Sequence, residues 1–208
     1  MEDTPIGDED TARAHCYALV SRLFYRPPDA DLLGELAGRS CDSAPDFQAV
    51  DGDALAVSHT RALAELQSAA RAAEPERLRQ EYDDTFVSAG KALVSPYTSG
   101  YTLPHAPDRH LLQLREKLGG WGLARREAVF EVEDHVSAIC DVMRWLIERG
   151  HMLETQREFF DEFVLSGVTG FCSAIEERAE SSFYRSVARY TRTFMAIESE
   201  AFQMDSAE

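Results

Sequence analysis

The chain has 208 residues, 44% hydrophobic and 28% charged, which suits one globular domain, spanning residues 1–208, with a sizeable core. A formal net charge of −16 disfavours nucleic acid, whose phosphates need a basic surface, and it disfavours anionic membranes. The same charge would steer a basic peptide, or a basic patch on a partner, towards the protein.

Residues 1–10 are expected to be a flexible, acidic lead. From Thr11 the apolar residues Ala12, Cys16, Tyr17, Val20, Leu23 and Phe24 recur at spacings of three and four, predicting a helix with one buried face. "RPPDA" ends it, and Asp29 is placed to cap a short helix over "ADLLGELA". Residues 38–52 are turn-rich and expected to be irregular. Residues 53–73 read as a long helix, and residues 74–87, "EPERLRQEYDDTFV", as another with Pro75 in its first turn. Residues 88–106 break the pattern with two prolines, two glycines and two tyrosines, a loop long enough to suggest a role. Helices resume over 107–118, from the stretch beginning at 129 to Gly150, and after a capping box of Thr155 with Glu158. One more covers residues 168–179, and a last runs from Ser181 or Ser182 to about Phe202. No stretch alternates as a strand does. The expected fold is an all-α, single-domain helical bundle of roughly eight to ten helices.

Cys16, Cys41, Cys140 and Cys172 are widely spaced without a C-x-x-C pair, so buried reduced thiols are expected rather than a zinc ribbon or redox dithiol. The start "MEDTPIGDED" lacks the basic and apolar regions of a secretory signal, and no apolar run approaches the roughly 20 residues of a membrane span. A cytoplasmic protein is the expectation.

Two constellations carry chemistry. In "VFEVEDHVSAICDVM" the residues Glu131, Asp134 and His135 fall at i, i+3 and i+4, beside the apolar stripe Val132, Val136, Ile139, Met143 and Leu146. On a helix this places two acids and an imidazole in the first turn. They would cap the helix, hold a metal, relay a proton or meet a partner. Metal is disfavoured because a di-iron bundle needs two Glu-x-x-His pairs, whereas Glu148 and His151 are separated by Gly150, a helix terminator. Catalysis is disfavoured because no nucleophile elbow accompanies Ser95 or Ser99, and "SAGKAL" lacks the first glycine and the hydroxyl of a phosphate loop. His135 beside carboxylates is a candidate for titration near neutral pH. The second constellation is "SPYTSGY". There Ser95, Pro96, Tyr97 and Ser99 combine a fixed turn, a flat aromatic surface and hydroxyl groups, which suits peptide recognition and equally a loop whose tyrosines plug it onto the core.

Taken together, "LRQEYDDTFVSAG…SPYTSGY" and "EVEDHVSAICDVMRWL" resemble the TorD/DmsD/NarJ family of redox-enzyme maturation chaperones. The family pattern has a Glu-Tyr-x-x-Leu-Phe helix, a Ser-Pro-Tyr-x-Ser loop and a Glu-Pro-x-Asp-His helix start. Glu81, Tyr82 and Phe86 match the first, with Thr85 in place of leucine. Ser95, Pro96, Tyr97 and Ser99 match the second. Glu131, Asp134 and His135 match the third, with Val132 in place of proline. The Phe183-Tyr184 step resembles that of the family's closing helices. The resemblance implies a non-enzymatic, cytoplasmic helical chaperone without a cofactor, monomeric or homodimeric. Its partner would be a molybdopterin oxidoreductase catalytic subunit, bound through an N-terminal twin-arginine signal. It further implies a peptide site containing Asp134, His135, Glu131, Ser95, Pro96, Tyr97 and Ser99, with Tyr82 a further candidate. The alternatives left by the residues are a small metal- or nucleotide-dependent helical enzyme, or a helical adaptor on the same scaffold.

Overall fold

A computed structural model describes residues 7–38, 54–87, 92–123 and 132–205. Glu131, Cys41, the stretch Ser88–Lys91, the start of the helix expected from residue 129 and nearly all of the expected irregular stretch 38–52 lie outside these residues. Ten α-helical segments follow one another among the described residues: α1 (Asp8–Tyr25), α2 (Ala30–Gly38), α3 (Ala54–Ala72), α4 (Pro75–Tyr82), α5 (Ser99–Thr102), α6 (Pro107–Gly120), α7 (Val136–Glu148), α8 (Leu153–Phe159), α9 (Leu165–Arg178) and α10 (Ser182–Asp205). A π turn at Asp83–Val87 extends α4, and another at Phe160–Val164 joins α8 to α9. No described helix is long and apolar enough to cross a membrane.

Local chemistry sets most of the helix ends. The Leu32 amide donates to Asp29 Oδ1 at 3.0 Å, so Asp29 caps α2. Pro75 occupies the first turn of α4, where a missing N–H costs nothing. The Tyr184 amide donates to Ser181 Oγ at 3.2 Å, which makes Ser181 the cap of α10. Gly150, at φ 64°, turns the chain after α7. Two expectations need correction. Helix α1 reaches back to Asp8, because Asp8, Glu9 and Asp10 complement its positive end and Asp10 pairs with Arg13 at 2.8 Å. Thr155 and Glu158 form no capping box, because α8 starts earlier, at Leu153, and Glu158 instead pairs with Lys117 at 3.1 Å.

The core forms where α1 packs along α7 and α10 packs on α3 and α9. Its aromatic side chains meet edge-on, as Phe24–Phe171 (centroids 4.9 Å apart) and Tyr17–Phe194 (4.8 Å) do. On α7 the buried stripe is Val136, Ile139, Cys140, Met143, Leu146 and Ile147, one face of a helix. A buried ion pair crosses the bundle. The Arg13 guanidinium donates to both Glu198 oxygens at 2.8 and 3.0 Å, and Tyr17 Oη donates to the same carboxylate at 3.0 Å. These bonds satisfy charges that would be costly to bury alone.

Candidate functional site

The two sequence constellations meet. The Ser95–Ser99 segment runs antiparallel to residues 134–136, with an isolated bridge between Tyr97 and His135. The Val136 amide donates to Pro96 O at 2.9 Å, and the Thr98 amide to Asp134 O at 2.8 Å. Thr98 Oγ1 donates to the same carbonyl at 3.0 Å, and the Ser99 amide reaches Asp134 Oδ2 at 3.4 Å. Asp134 thus receives bonds at both its carbonyl and its carboxylate, and it is 4% exposed. Loop and helix start are one hydrogen-bonded unit.

Helix α7 begins one residue after the motif rather than inside it, which corrects the helical placement expected for Asp134 and His135; the expectation for Glu131 falls outside the described residues. The His135 amide donates to Val132 O at 3.0 Å, closing a turn ahead of the helix. His135, in extended conformation, is the N-cap, and its Nδ1 accepts the Ser137 amide at 3.2 Å. The same Nδ1 lies 2.7 Å from Ser137 Oγ, so backbone and side chain of Ser137 both meet the ring. That ring stands edge-on to Tyr97, with centroids 5.8 Å apart. Asp134, expected to open the helix, sits outside it and holds the loop instead.

The named residues divide by depth. Ser95 is exposed and Tyr97 half-buried, whereas Pro96, Ser99, Asp134 and His135 are buried. Ser99 Oγ has no hydrogen-bond partner among the described residues. Tyr82 lies in the core, its hydroxyl bonded to the Phe24 and Tyr25 carbonyls at 3.0 and 3.1 Å, where it satisfies groups left open at the end of α1.

The loop is held from three further sides. The Thr85 carbonyl, on the π turn, accepts the Val94 amide at 3.0 Å, while Thr85 Oγ1 back-bonds to Glu81 O at 2.7 Å. Tyr101 Oη donates to Ser95 O at 2.9 Å. The third contact is steric: a Cβ added at Gly167 would lie 2.7 Å from Thr98 Cβ, and one at Gly170 would lie 2.9 Å from Tyr101 Cβ. Only hydrogen at these two positions lets α5 lie on α9. Their three-residue spacing within a helical pattern was the one available signal, and sequence reasoning passed over it.

Beside the loop, one face of α4 and its π turn (Arg77, Gln80, Glu81, Asp84 and Thr85) opposes the α9–α10 corner across a groove of about 570 Å³, with Leu93 at its edge. Glu81 is occupied there, bonded to Arg77 at 3.1 Å and Ser181 Oγ at 2.6 Å.

The nitrate reductase delta subunit family model matches residues 53–173, which take in the π turn, the loop and the start of α7. An uncharacterized protein of Haemophilus influenzae is 26% identical over 188 residues, covering 86% of this chain and 91% of its own length. Chaperone protein TorD of Shewanella loihica is 23% identical over 216 residues, covering 97% and 96%. A crystal structure from Archaeoglobus fulgidus, proposed to be of a redox enzyme maturation protein, shares the fold at a TM-score of 0.52. It is 24% identical, over 88% of this chain and 93% of that one. The chain belongs to the nitrate reductase delta subunit family, the TorD/DmsD/NarJ group of redox-enzyme maturation chaperones.

Proposed function

We propose that the chain binds the N-terminal segment, a twin-arginine signal, of a molybdopterin oxidoreductase of the dimethyl-sulfoxide-reductase type. It holds that segment in the cytoplasm until the cofactor is inserted and export is safe. The reading rests on one observation: the Ser95–Ser99 loop is bonded to Asp134 and Val136, which fixes the exposed Ser95 and the half-buried Tyr97 at the surface. A pre-set aromatic and hydroxyl surface loses little entropy when a peptide orders on it. In this reading Asp134 and His135 position the loop, and Ser95 and Tyr97 touch the client. The net charge of −16 favours a client segment carrying arginines. Binding, with no turnover, is the whole activity.

The test is co-expression with the catalytic subunit of such an oxidoreductase, intact or lacking its N-terminal segment, followed by affinity purification of this chain. The intact subunit should co-purify and the truncated one should not. Equal recovery of the two would remove the N-terminal segment from the account.

A further inference from the structure

The groove beside the loop holds carboxylates that the fold does not use. Arg77, Glu81 and Ser181 satisfy one another. Asp84 and Glu180 line the same groove, are exposed, and form no ion pair among the described residues. Arg178 is the one cation of the lining not engaged by Glu81, and it stands close enough to Tyr101 to act on its phenol. The charges left over are therefore two carboxylates against one guanidinium.

Two further features mark the groove. Leu93, 46% exposed, gives its edge an apolar surface of the kind that the methylene stem of a long basic side chain covers. Behind its wall, outside the lining itself, lies the Tyr184 hydroxyl, fully buried and without a hydrogen-bond partner among the described residues. Burial first, then Tyr82, Glu81 and Asp83, push that phenol well above its ordinary range.

The groove is also joined to the loop. Leu93 lines it, the Val94 amide is bonded to the π turn, and Pro96 and Thr98 are bonded to residues 134–136. Four residues of near-extended chain reach about 13 Å, so one client segment lying along residues 93–97 would meet both places. We infer that this groove, between the π turn at Asp83–Val87 and the α9–α10 corner, is the seat for an arginine of the client segment, with Asp84 and Glu180 accepting its guanidinium and Leu93 covering its stem. The inference rests on the peptide-binding reading above and adds a place where a basic side chain is recognised.

The experiment titrates the full chain against a fluorescein-labelled peptide bearing two adjacent arginines ahead of an apolar stretch, followed by anisotropy. A second peptide has both arginines replaced by glutamine. Asp84→Asn combined with Glu180→Gln should weaken the arginine peptide about tenfold and leave the glutamine peptide within about twofold, since the change removes charge and keeps shape. Neither side chain supports the fold, so the thermal melt of the double variant should match wild type. Equal affinity of wild type and double variant for the arginine peptide would overturn the inference and leave the peptide-binding reading standing. Binding of neither peptide to wild type would overturn both.

Discussion

The junction at Asp134 and the groove at Asp84 both present carboxylates near the same loop, and the protein treats them in opposite ways. At the junction the Asp134 carbonyl and Oδ2 are turned inward and accept from amides and a hydroxyl of residues 98 and 99. In the groove Asp84 and Glu180 are exposed and form no ion pair among the described residues. A conspicuous acid–histidine motif thus does structural work, whereas inconspicuous exposed acids are the groups free to meet a partner. The difference follows from desolvation: a buried carboxylate must be satisfied by the protein itself, and an exposed one need not be.

Perturbing buried polar groups should therefore cost stability, and perturbing the groove should not. The largest effect is expected from acid acting on His59, 4% exposed and bonded to Thr193 Oγ1 at 3.0 Å. Burial lowers its pKa to about 4 from 6.5. The unfolded chain binds a proton there that the folded ring refuses, so stability present above pH 6.5 is lost as pH falls towards 4. That loss is about 3 kcal/mol at the lower end. Urea melts across this range should show the slope, and His59→Gln should flatten it.

Next comes Gly167→Ala, which forces a methyl against Thr98. Denaturant unfolding should register a loss of about 2 kcal/mol, and the displaced loop should weaken peptide binding as well. Asp134→Ala leaves the Ser99 amide without its acceptor in a buried place and should cost about 1–2 kcal/mol. Its client affinity should fall with it, because the loop loses an anchor. Unchanged affinity in Asp134→Ala would mean that the loop does not bind the client. Tyr82→Phe removes one shared hydrogen bond to the end of α1 and should cost about 1 kcal/mol without changing affinity. At the small end, Asp84→Asn and Glu180→Gln should shift stability by less than about 0.5 kcal/mol. A large destabilisation there would erase the contrast between the two regions.

Much of the fold was legible because helical burial leaves a periodic trace. The stripe of α7, the proline entry to α4, the aspartate cap of α2 and the serine cap of α10 all follow from local rules. The pairing of "SPYTSGY" with "EDHV" was legible only through family resemblance, since nothing local announces a contact between residues 97 and 135. The helix start was misplaced because an acid–histidine pair beside an apolar stripe looks the same just outside a helix as within it. The groove left no trace. Its walls, residues 77–85 and 178–182, are about a hundred positions apart and made of ordinary surface residues, so only tertiary packing brings them together.

The central claim, that a client segment lies along residues 93–97, is tested most directly by amide hydrogen exchange of the full chain with and without the arginine-bearing peptide. In the free protein the Thr98 and Val136 amides should already exchange slowly, being bonded to Asp134 and Pro96. On adding peptide, exchange should slow across residues 93–97 and at the α9–α10 corner, with the α3–α10 face unchanged. Slowing confined to that face, with the loop unaltered, would contradict the account.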